Sequence, residues 1–335
     1  MDNELTPSME YLEIRSKNSD YAYTTGRIRG LETYLLKEAD FSRLKEVKRV
    51  GESLEILSKI FPYSESIRRV EKEEDFEIGL EEELRRTYLD LRSFCPEPDL
   101  VDLFWLMYDF HNLKVLLKTR LHPGSSSENL LSSAGTQNVG TFKKAIFKKD
   151  FFDLSLDFKN LLKRVLPLVE DNPRPQFIDT LLDKELFQWI FRGLGKFKDH
   201  FLDELRRRLI DSFNIKTFLR IKFWREKEEE FYEEVLIEGG GIANSKFLKL
   251  SRQPVEALID GLDNRDYKEA VREALGEWEE KKSLFTLDYF FEGYLLNWTK
   301  NGFYITFGRE PLINYIFLKE REIRILRSIL RKKLA

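Results

Sequence analysis

Two short stretches of this 335-residue chain pair a carboxylate with an amide at a spacing that suits a polar site on a helix. Asp109 stands three residues before Asn112, and Asp211 stands three residues before Asn214. That spacing places both side chains of a pair on one helix face. There they could form a site or contact a partner, or they could make the hydrogen bonds that buried polar side chains need inside the fold. Because the pair recurs within one chain, we favour the internal role, in which an interhelical hydrogen bond fixes how each unit packs.

A base follows each pair, and a weaker third copy lies near the end of the chain. Lys114 and Lys216 stand two residues after their asparagines. In the stretch from 319 to 324, Glu322 takes the place of the asparagine and Arg324 takes the place of the lysine. The repeat signature therefore consists of Asp109, Asn112, Lys114, Asp211, Asn214, Lys216, Glu322 and Arg324.

Glycines that begin new helical stretches indicate a long repeat. Gly26, Gly135 and Gly240 are spaced by 109 and 105 residues. This period is far longer than the ~20–50 residues of common solenoids. The sequence therefore predicts a threefold internal duplication, with similar helical domains at 1–125, 126–234 and 235–335.

The stretches that carry the signature are expected to be long helices. Apolar residues at 201, 205, 209 and 213 recur at intervals of four and mark a core-facing stripe. The stretches 100–121 and 312–330 are also helical in pattern, and Pro and Gly cluster at breaks such as 122–127 and 239–241. No series of alternating strands is present, so the predicted fold class is all-α.

Nothing in the chain matches the motifs of a catalytic or metal site. The Gly239–Gly241 run is followed by no Lys-Ser or Lys-Thr pair and preceded by no strand, which excludes a Walker loop. The three histidines and the single cysteine lack metal-ligand spacing. No nucleophile lies in a recognisable elbow. We therefore predict no catalytic residue, no cofactor and no metal.

Charge and composition narrow the class of protein and its location. A formal net charge of −3 excludes a basic nucleic-acid surface at the level of the whole chain. The single cysteine, Cys95, fits a reducing cytoplasmic compartment. No uncharged apolar run approaches the ~18 residues of a membrane span. The sequence thus predicts a cytoplasmic protein that would act at a membrane only through a partner.

Four strings, in order and spread over nearly the whole chain, carry a family resemblance. They lie at 21–32, 108–114, 211–220 and 311–324. Each is weak alone, but the set at these spacings resembles the central-stalk C subunits of archaeal and bacterial V/A-type rotary ATPases. Those proteins are homologous to the d subunit of the eukaryotic vacuolar enzyme.

The resemblance implies a funnel of three similar helical domains. The funnel would cap the cytoplasmic face of the proteolipid rotor ring and receive the tip of the central shaft. It would transmit torque during ATP-coupled proton or sodium transport, with no chemistry of its own. The implied partners are the shaft subunits and the ring of the same ATPase, with no nucleic acid and no direct membrane span.

Basic side chains are the candidate partner contacts in this chain. The arginines of the last helix lie near one face and could dock on an acidic partner, or they could be solvated bases near a helix C-terminus. Those that follow Gly26 could contact ring loops or pair with carboxylates such as Glu32. The candidates are Arg27, Arg29, Arg321, Arg327 and Arg331. The alternative function is a helical adaptor or regulator that binds acidic partners or RNA through the basic terminal helix.

Overall fold

The computed structural model describes residues 19–122, 130–224, 232–233 and 235–334. Every regular element among these residues is helical, and no strand occurs in this part of the chain. The all-α prediction is therefore confirmed for the residues that the structure describes.

The α-helices are numbered in chain order. They are α1 (Ala22–Glu32), α2 (Glu38–Glu46), α3 (Val50–Leu57), α4 (Tyr63–Ile67), α5 (Phe76–Phe94), α6 (Pro98–Leu121), α7 (Val139–Lys148), α8 (Leu156–Asp171), α9 (Pro175–Gly195), α10 (His200–Trp224), α11 (Asn244–Ser251), α12 (Ala257–Gly261), α13 (Arg265–Lys281), α14 (Phe285–Thr299) and α15 (Glu310–Leu334). Short 3₁₀ helices lie at Ser19–Tyr21, Glu73–Asp75 and Lys300–Tyr304.

Three long helices, α6, α10 and α15, carry the three copies of the signature. α6 begins at Pro98, whose fixed φ angle and missing N–H suit the first turn of a helix. The predicted stripe of α10 is buried at Phe201, Leu205 and Phe213, whereas Leu209 is partly buried. The helical expectation for these three stretches is therefore confirmed.

The long helices pack in a repeated way. α6 contacts α7 and α9, α10 contacts α11 and α14, and α15 contacts α2 and α5. The main hydrophobic core runs from α1 to the first half of α10 and includes Leu312 and Leu326 of α15. A second core joins the last half of α10 to α11–α14. The last helix is therefore packed on the first helices that the structure describes.

Both predicted domain boundaries involve residues that the structure does not describe. The boundary at 125/126 falls within 123–129, outside the described residues, and residue 234 is outside them as well. The three units and their funnel arrangement stay predictions. The packing adds that α15, which the sequence assigns to the third unit, contacts helices of the first.

Neither a spanning helix nor a metal cluster is found in the described ranges. None of their helices is long and apolar enough to cross a membrane. No three or more His, Cys, Asp or Glu side chains in those ranges are grouped as metal ligands would be.

Candidate functional site

The carboxylate of Asp109, in α6, holds the segment that precedes α7. Its oxygens accept hydrogen bonds from the backbone N–H groups of Thr136 at 2.9 Å and Gln137 at 3.0 Å, and from Thr136 Oγ1 at 2.7 Å. A Cβ atom on Gly135 would lie 2.3 Å from Asp109 Oδ1, so the carboxylate approaches a backbone that only glycine permits. Burial raises the pKa of Asp109 to about 6, although these hydrogen bonds lower it.

The amide of Asn112 binds the same segment at Ser132, four residues before Thr136. Its Nδ2 atom donates to the carbonyl of Ser132 at 2.9 Å, and the Ser132 N–H donates to its Oδ1 atom at 2.8 Å. Asn112 is completely buried. Both hydrogen-bonding groups of one buried backbone residue are therefore satisfied by a single side chain.

The second copy makes matching contacts in α10. The Ile242 N–H donates to Asp211 Oδ1 at 3.0 Å, and a Cβ atom on Gly240 would lie 2.4 Å from that oxygen. Asn214 exchanges two hydrogen bonds with the backbone of Ile237, at 2.7 and 2.9 Å. Burial raises the pKa of Asp211. In both copies most of the partners are backbone groups of the segment that precedes the next helix.

The lysines of the two copies form equivalent ion pairs. Lys114 Nζ lies 2.6 Å from Asp183 Oδ1 in α9, and Lys216 Nζ lies 3.0 Å from Asp288 Oδ1 in α14. α6 and α10 are thus each linked to a later helix through the base of the signature.

The third copy uses charges to hold the segment before α2. Glu322 accepts hydrogen bonds from the Leu36 N–H, from Tyr63 Oη at 2.6 Å and from Lys319 Nζ at 2.8 Å. Lys319 Nζ also lies 3.0 Å from Glu83 Oε1. The side chains of Lys319, Glu83 and Glu322 are at most 3% exposed. We call these three residues the terminal latch, because they join α15 to α5 and the segment before α2.

The charged side chains of the terminal latch shift one another's pKa values. Burial alone would lower the pKa of Lys319, but the carboxylates of Glu322 and Glu83 raise it. Burial raises the pKa of Glu83 despite its lysine partner. Lys319 therefore stays protonated inside the protein, where its charge requires the two carboxylates.

Most arginines proposed as partner contacts on α15 are bound within the chain. Arg327 Nε lies 2.7 Å and Arg331 Nη2 lies 2.8 Å from the carboxylate of Glu77 in α5. Arg324 pairs with Glu292 in α14. Arg321 is half-buried. The basic face of α15 is thus largely turned to acidic residues of other helices.

The two arginines of α1 differ in surroundings. Arg29 pairs with Glu32 at 2.8 Å, and its Nη2 atom donates to the carbonyls of Gly302 at 2.7 Å and Phe303 at 2.8 Å. Arg27 is exposed and lies over the Phe94 ring at 4.9 Å. Arg29 therefore positions the segment before α15, whereas Arg27 remains accessible.

Arg309, which sequence reasoning missed, joins the starts of the three long helices. It makes two 2.6 Å hydrogen bonds with Glu97, just before α6, and one of 2.8 Å with Asp199, just before α10. Tyr21 Oη also donates to Glu97 at 2.6 Å. We call this cluster the Arg309 junction. One sequence signal could have found it, since Glu97 and Asp199 each stand twelve residues before the signature aspartate.

The long helices also border a largely apolar groove of about 360 Å³. Residues of α5, α6, α9, α10, α14 and α15 line it, among them Phe104, Met107, Phe187, Leu295 and Phe317. Lys216 and Arg324 lie at its edge. We call it the central groove, because helices from all three predicted units meet there. The carboxylates of Asp288, Glu292 and Glu320 also line it.

Comparison with known proteins assigns most of the chain to one family. A family model described as ATP synthase (C/AC39) subunit matches residues 24–335. The C subunit of the V-type sodium ATPase of Enterococcus hirae is 27% identical over 305 residues, which cover 90% of each chain. The C subunit of the A-type ATP synthase of Methanosarcina acetivorans is 28% identical over 344 residues, which cover 98% of this chain and 92% of that one. The corresponding protein of the A-type ATP synthase of Methanocaldococcus jannaschii is 25% identical over 332 residues, covering 94% and 83%.

Proposed function

The chain belongs to the ATP synthase (C/AC39) subunit family, and from this premise we propose that it is a non-catalytic central-stalk subunit of a V/A-type rotary ATPase. In this role it links the central shaft to the proteolipid ring and transmits torque for ATP-coupled proton or sodium transport. The observation that carries the proposal is the terminal latch, which ties the last helix to the first helices of the chain through buried charges.

A torque-transmitting subunit has to be stiff, and three sets of contacts support this property. The Arg309 junction joins the starts of α6, α10 and α15. The Asp–Asn pairs fix the described segments that precede α7 and α11. The terminal latch joins α15 to α5 and to the segment before α2. Close-packed interiors transmit strain because they deform little, so a load applied to one helix would pass to the others.

The central groove is the proposed seat for the tip of the shaft. Helices of all three predicted units line it, and Met107 at its surface is 40% exposed. A shaft tip seated there would press on α6, α10 and α15 together. The threefold duplication and the funnel are part of this proposal.

The proteolipid ring is the second proposed partner. A symmetric ring and a body of three divergent units cannot match perfectly in symmetry, and polar contacts tolerate such a mismatch better than interlocking apolar surfaces do. Of the proposed partner arginines, Arg27 is exposed, and the contacts seen for its guanidinium are a long 3.4 Å hydrogen bond to Tyr23 and the face of the Phe94 ring. The chain would thus lie peripherally on the cytoplasmic face of the membrane.

A cross-linking experiment on native membranes tests this function. We would express the tagged chain with a photo-reactive amino acid at Met107 in the central groove, and a matched variant with the same group at exposed Leu168 on α8. The proposal expects co-purification with the ATPase after a low-salt, chelator wash, and a shaft cross-link from position 107 alone.

Two results would count against the proposal. The chain could leave the membrane as a free protein in that wash, or it could co-purify with RNA whose affinity falls steeply with salt. The RNA adaptor is the weaker candidate because Arg327 and Arg331 are paired with Glu77.

A further inference from the structure

The contacts of three carboxylates relate the long helices in one register. Asp109, Asp211 and Glu322 each accept a hydrogen bond from the backbone N–H group two residues before a short helix, which is α7, α11 and α2 in turn. A tyrosine hydroxyl also donates to two of them, from Tyr267 to Asp211 at 3.4 Å and from Tyr63 to Glu322 at 2.6 Å. By these contacts Glu322 corresponds to the two aspartates rather than to the asparagines.

Two further sets of side chains follow the same register. Five residues after each carboxylate, a base pairs with an acidic residue of α9, α14 or α5. The pairs are Lys114–Asp183 at 2.6 Å, Lys216–Asp288 at 3.0 Å and Arg327–Glu77 at 2.7 Å. Twelve residues before each carboxylate, Glu97, Asp199 and Glu310 lie at the starts of the long helices. The register therefore shifts α6 by 102 residues onto α10 and by 213 residues onto α15.

In this register, one position on each long helix lines the central groove. The three residues are Met107, Leu209 and Glu320. Phe104 and Phe317 correspond as well, and their rings pack at 5.7 Å in the wall of the groove. The groove thus has related positions on α6, α10 and α15, which are apolar on two helices and acidic on the third.

The other charged residues that line the central groove compensate one another. Lys216 pairs with Asp288 at 3.0 Å, and Arg324 pairs with Glu292. Glu320 belongs to neither pair. The lining therefore has an excess negative charge, and that charge lies on Glu320.

The donors that hold Glu320 are neutral hydroxyl groups. Its carboxylate accepts hydrogen bonds from Tyr88 Oη at 2.6 Å and from Tyr108 Oη at 2.8 Å. Burial raises the pKa of Glu320, although these hydroxyls and the charges of Arg324 and Arg327 lower it. The surroundings thus compensate the ionised carboxylate incompletely, and a cation brought into the groove would stabilise it.

We propose that Glu320 binds a lysine or arginine side chain of the shaft segment and thereby sets the orientation in which that segment enters the central groove. An apolar groove with related positions on three helices would accept the segment in three orientations. A single carboxylate favours the one that brings the base to α15, because charge complementarity fixes the register of an interface. The proposal rests on the proposed function and adds to it the residue that selects the orientation.

Removing the charge tests the contact. Glu320→Gln keeps the shape of the side chain and its ability to accept a hydrogen bond. Glu55→Gln makes the same change in net charge at a carboxylate that is 69% exposed and does not line the groove. We would titrate ATPase that lacks this chain with each purified full-length variant at low and high salt. We expect at least a tenfold loss of affinity for Glu320→Gln at low salt, a smaller loss at high salt and none for Glu55→Gln.

Thermal unfolding of the free chain separates a role in binding from a role in the fold. Because burial disfavours the charged form of Glu320, Glu320→Gln should melt no lower than wild type at pH 7. A residue that serves only the packing of α15 would lose stability and affinity together. A lower melting temperature for Glu320→Gln would therefore count against the proposal.

Moving the carboxylate tests the orientation. Leu209→Glu combined with Glu320→Leu transfers it from α15 to the related position on α10. A photo-reactive amino acid at position 107 would be present both with and without this transfer. We expect it to capture a different face of the shaft segment after the transfer. Replacing the shaft base that lies against Glu320 by Met should weaken binding without adding to the loss from Glu320→Gln.

The outcomes distinguish this inference from the function on which it rests. Normal affinity of Glu320→Gln, a loss that salt does not change, or capture of the same shaft residue after the transfer overturns the role of Glu320 alone. Failure of the wild-type chain to bind the ATPase overturns the proposed function and this role with it.

Discussion

At the scale of single residues, the Asp–Asn pairs show why both a carboxylate and an amide are needed. A carboxylate can accept from successive N–H groups of an irregular segment, as Asp109 does with Thr136 and Gln137. An amide carries both a donor and an acceptor, so Asn112 can satisfy both backbone groups of Ser132. Neither task can be done by an apolar side chain. The pairs therefore fix irregular segments that helix packing alone would leave without partners.

Replacing Asn112 by Leu should destabilise the protein. The variant leaves the N–H and carbonyl of Ser132 in a buried site without partners, which costs about 1–3 kcal/mol. Urea unfolding measures the loss. Asn160→Leu, at an exposed position of α8, is the matched control and should change the unfolding midpoint little. Equal stability of the two variants would show that the Asn112 contacts contribute nothing.

Asp109 should make stability depend on pH in a defined direction. Its pKa in the folded protein is about 6 against an ordinary value of 3.8, so the folded state binds this proton more tightly. The favourable contribution is full below about pH 4 and is lost as pH rises through 6. A shift of this size corresponds to about 3 kcal/mol. The stability of wild type relative to Asp109→Asn should therefore fall between pH 4 and 7.

Urea unfolding of both proteins across this pH range gives the test for Asp109. Asn112→Leu removes no titratable group and should differ from wild type by the same amount at every pH. A difference between wild type and Asp109→Asn that stays constant from pH 4 to 7 contradicts the account.

At the scale of the helices, two charged clusters hold the long elements in place. The Arg309 junction acts at the starts of α6, α10 and α15, where the carboxylates of Glu97 and Asp199 also suit the positive ends of the helix dipoles. The terminal latch acts further along α15 and joins it to α5. The two clusters therefore fix α15 at two points.

Removing the cation of the terminal latch should lower the stability of the protein strongly. Removing all three charges should lower it less. Lys319→Met leaves the carboxylates of Glu83 and Glu322 buried without their cation. Loss of one partner from a buried ion pair costs about 3–5 kcal/mol. Adding Glu83→Gln and Glu322→Gln should recover part of this loss. The control Lys59→Met breaks a pair in which both side chains are at least 66% exposed.

Chemical denaturation of these variants decides the role of the latch. The expected order of stability is wild type and Lys59→Met first, the triple variant next and Lys319→Met last. A triple variant less stable than Lys319→Met would contradict the charge argument.

The Arg309 junction should require a guanidinium rather than any positive charge. Arg309 contacts Glu97 through two nitrogens and Asp199 through a third, a geometry that lysine cannot reproduce. Arg309→Lys should lose about 1 kcal/mol and Arg309→Met about 2–3 kcal/mol. Hydrogen exchange should rise at the starts of α6 and α10 in both variants. Hydrogen exchange that rises only in other helices would contradict this role of the Arg309 junction.

The helices could be predicted from sequence far better than the contacts that hold them. The four-residue stripe and the repeated motif located α6, α10 and α15, because apolar periodicity reports directly on helices. Most partners of Asp109 and Asn214 are backbone groups of irregular segments, which leave no periodic signal. Arg309 and Glu97 are 212 residues apart in the chain, so no local pattern links them. Of the arginines proposed as partner contacts, Arg327 and Arg331 pair within the chain.

On the scale of the whole molecule, the last helix that the structure describes is fastened to the first helices that it describes. α15 packs on α1, α2, α3 and α5 as well as on α14. We expect a body closed in this way to resist twisting between its parts, which is the property that the proposed rotor coupling needs. The proposed role therefore rests on mechanical continuity and requires no reactive group.

The most direct test measures how many ions are transported per ATP hydrolysed in membrane vesicles. Vesicles would carry the ATPase without this chain, with the wild-type chain restored, or with Lys319→Met restored. We expect ATP hydrolysis without ion transport in the absence of the chain, recovery of transport with wild type and a reduced ratio with Lys319→Met. Full transport in vesicles that lack the chain, or ATP hydrolysis by the purified chain alone, would contradict a non-catalytic coupling role.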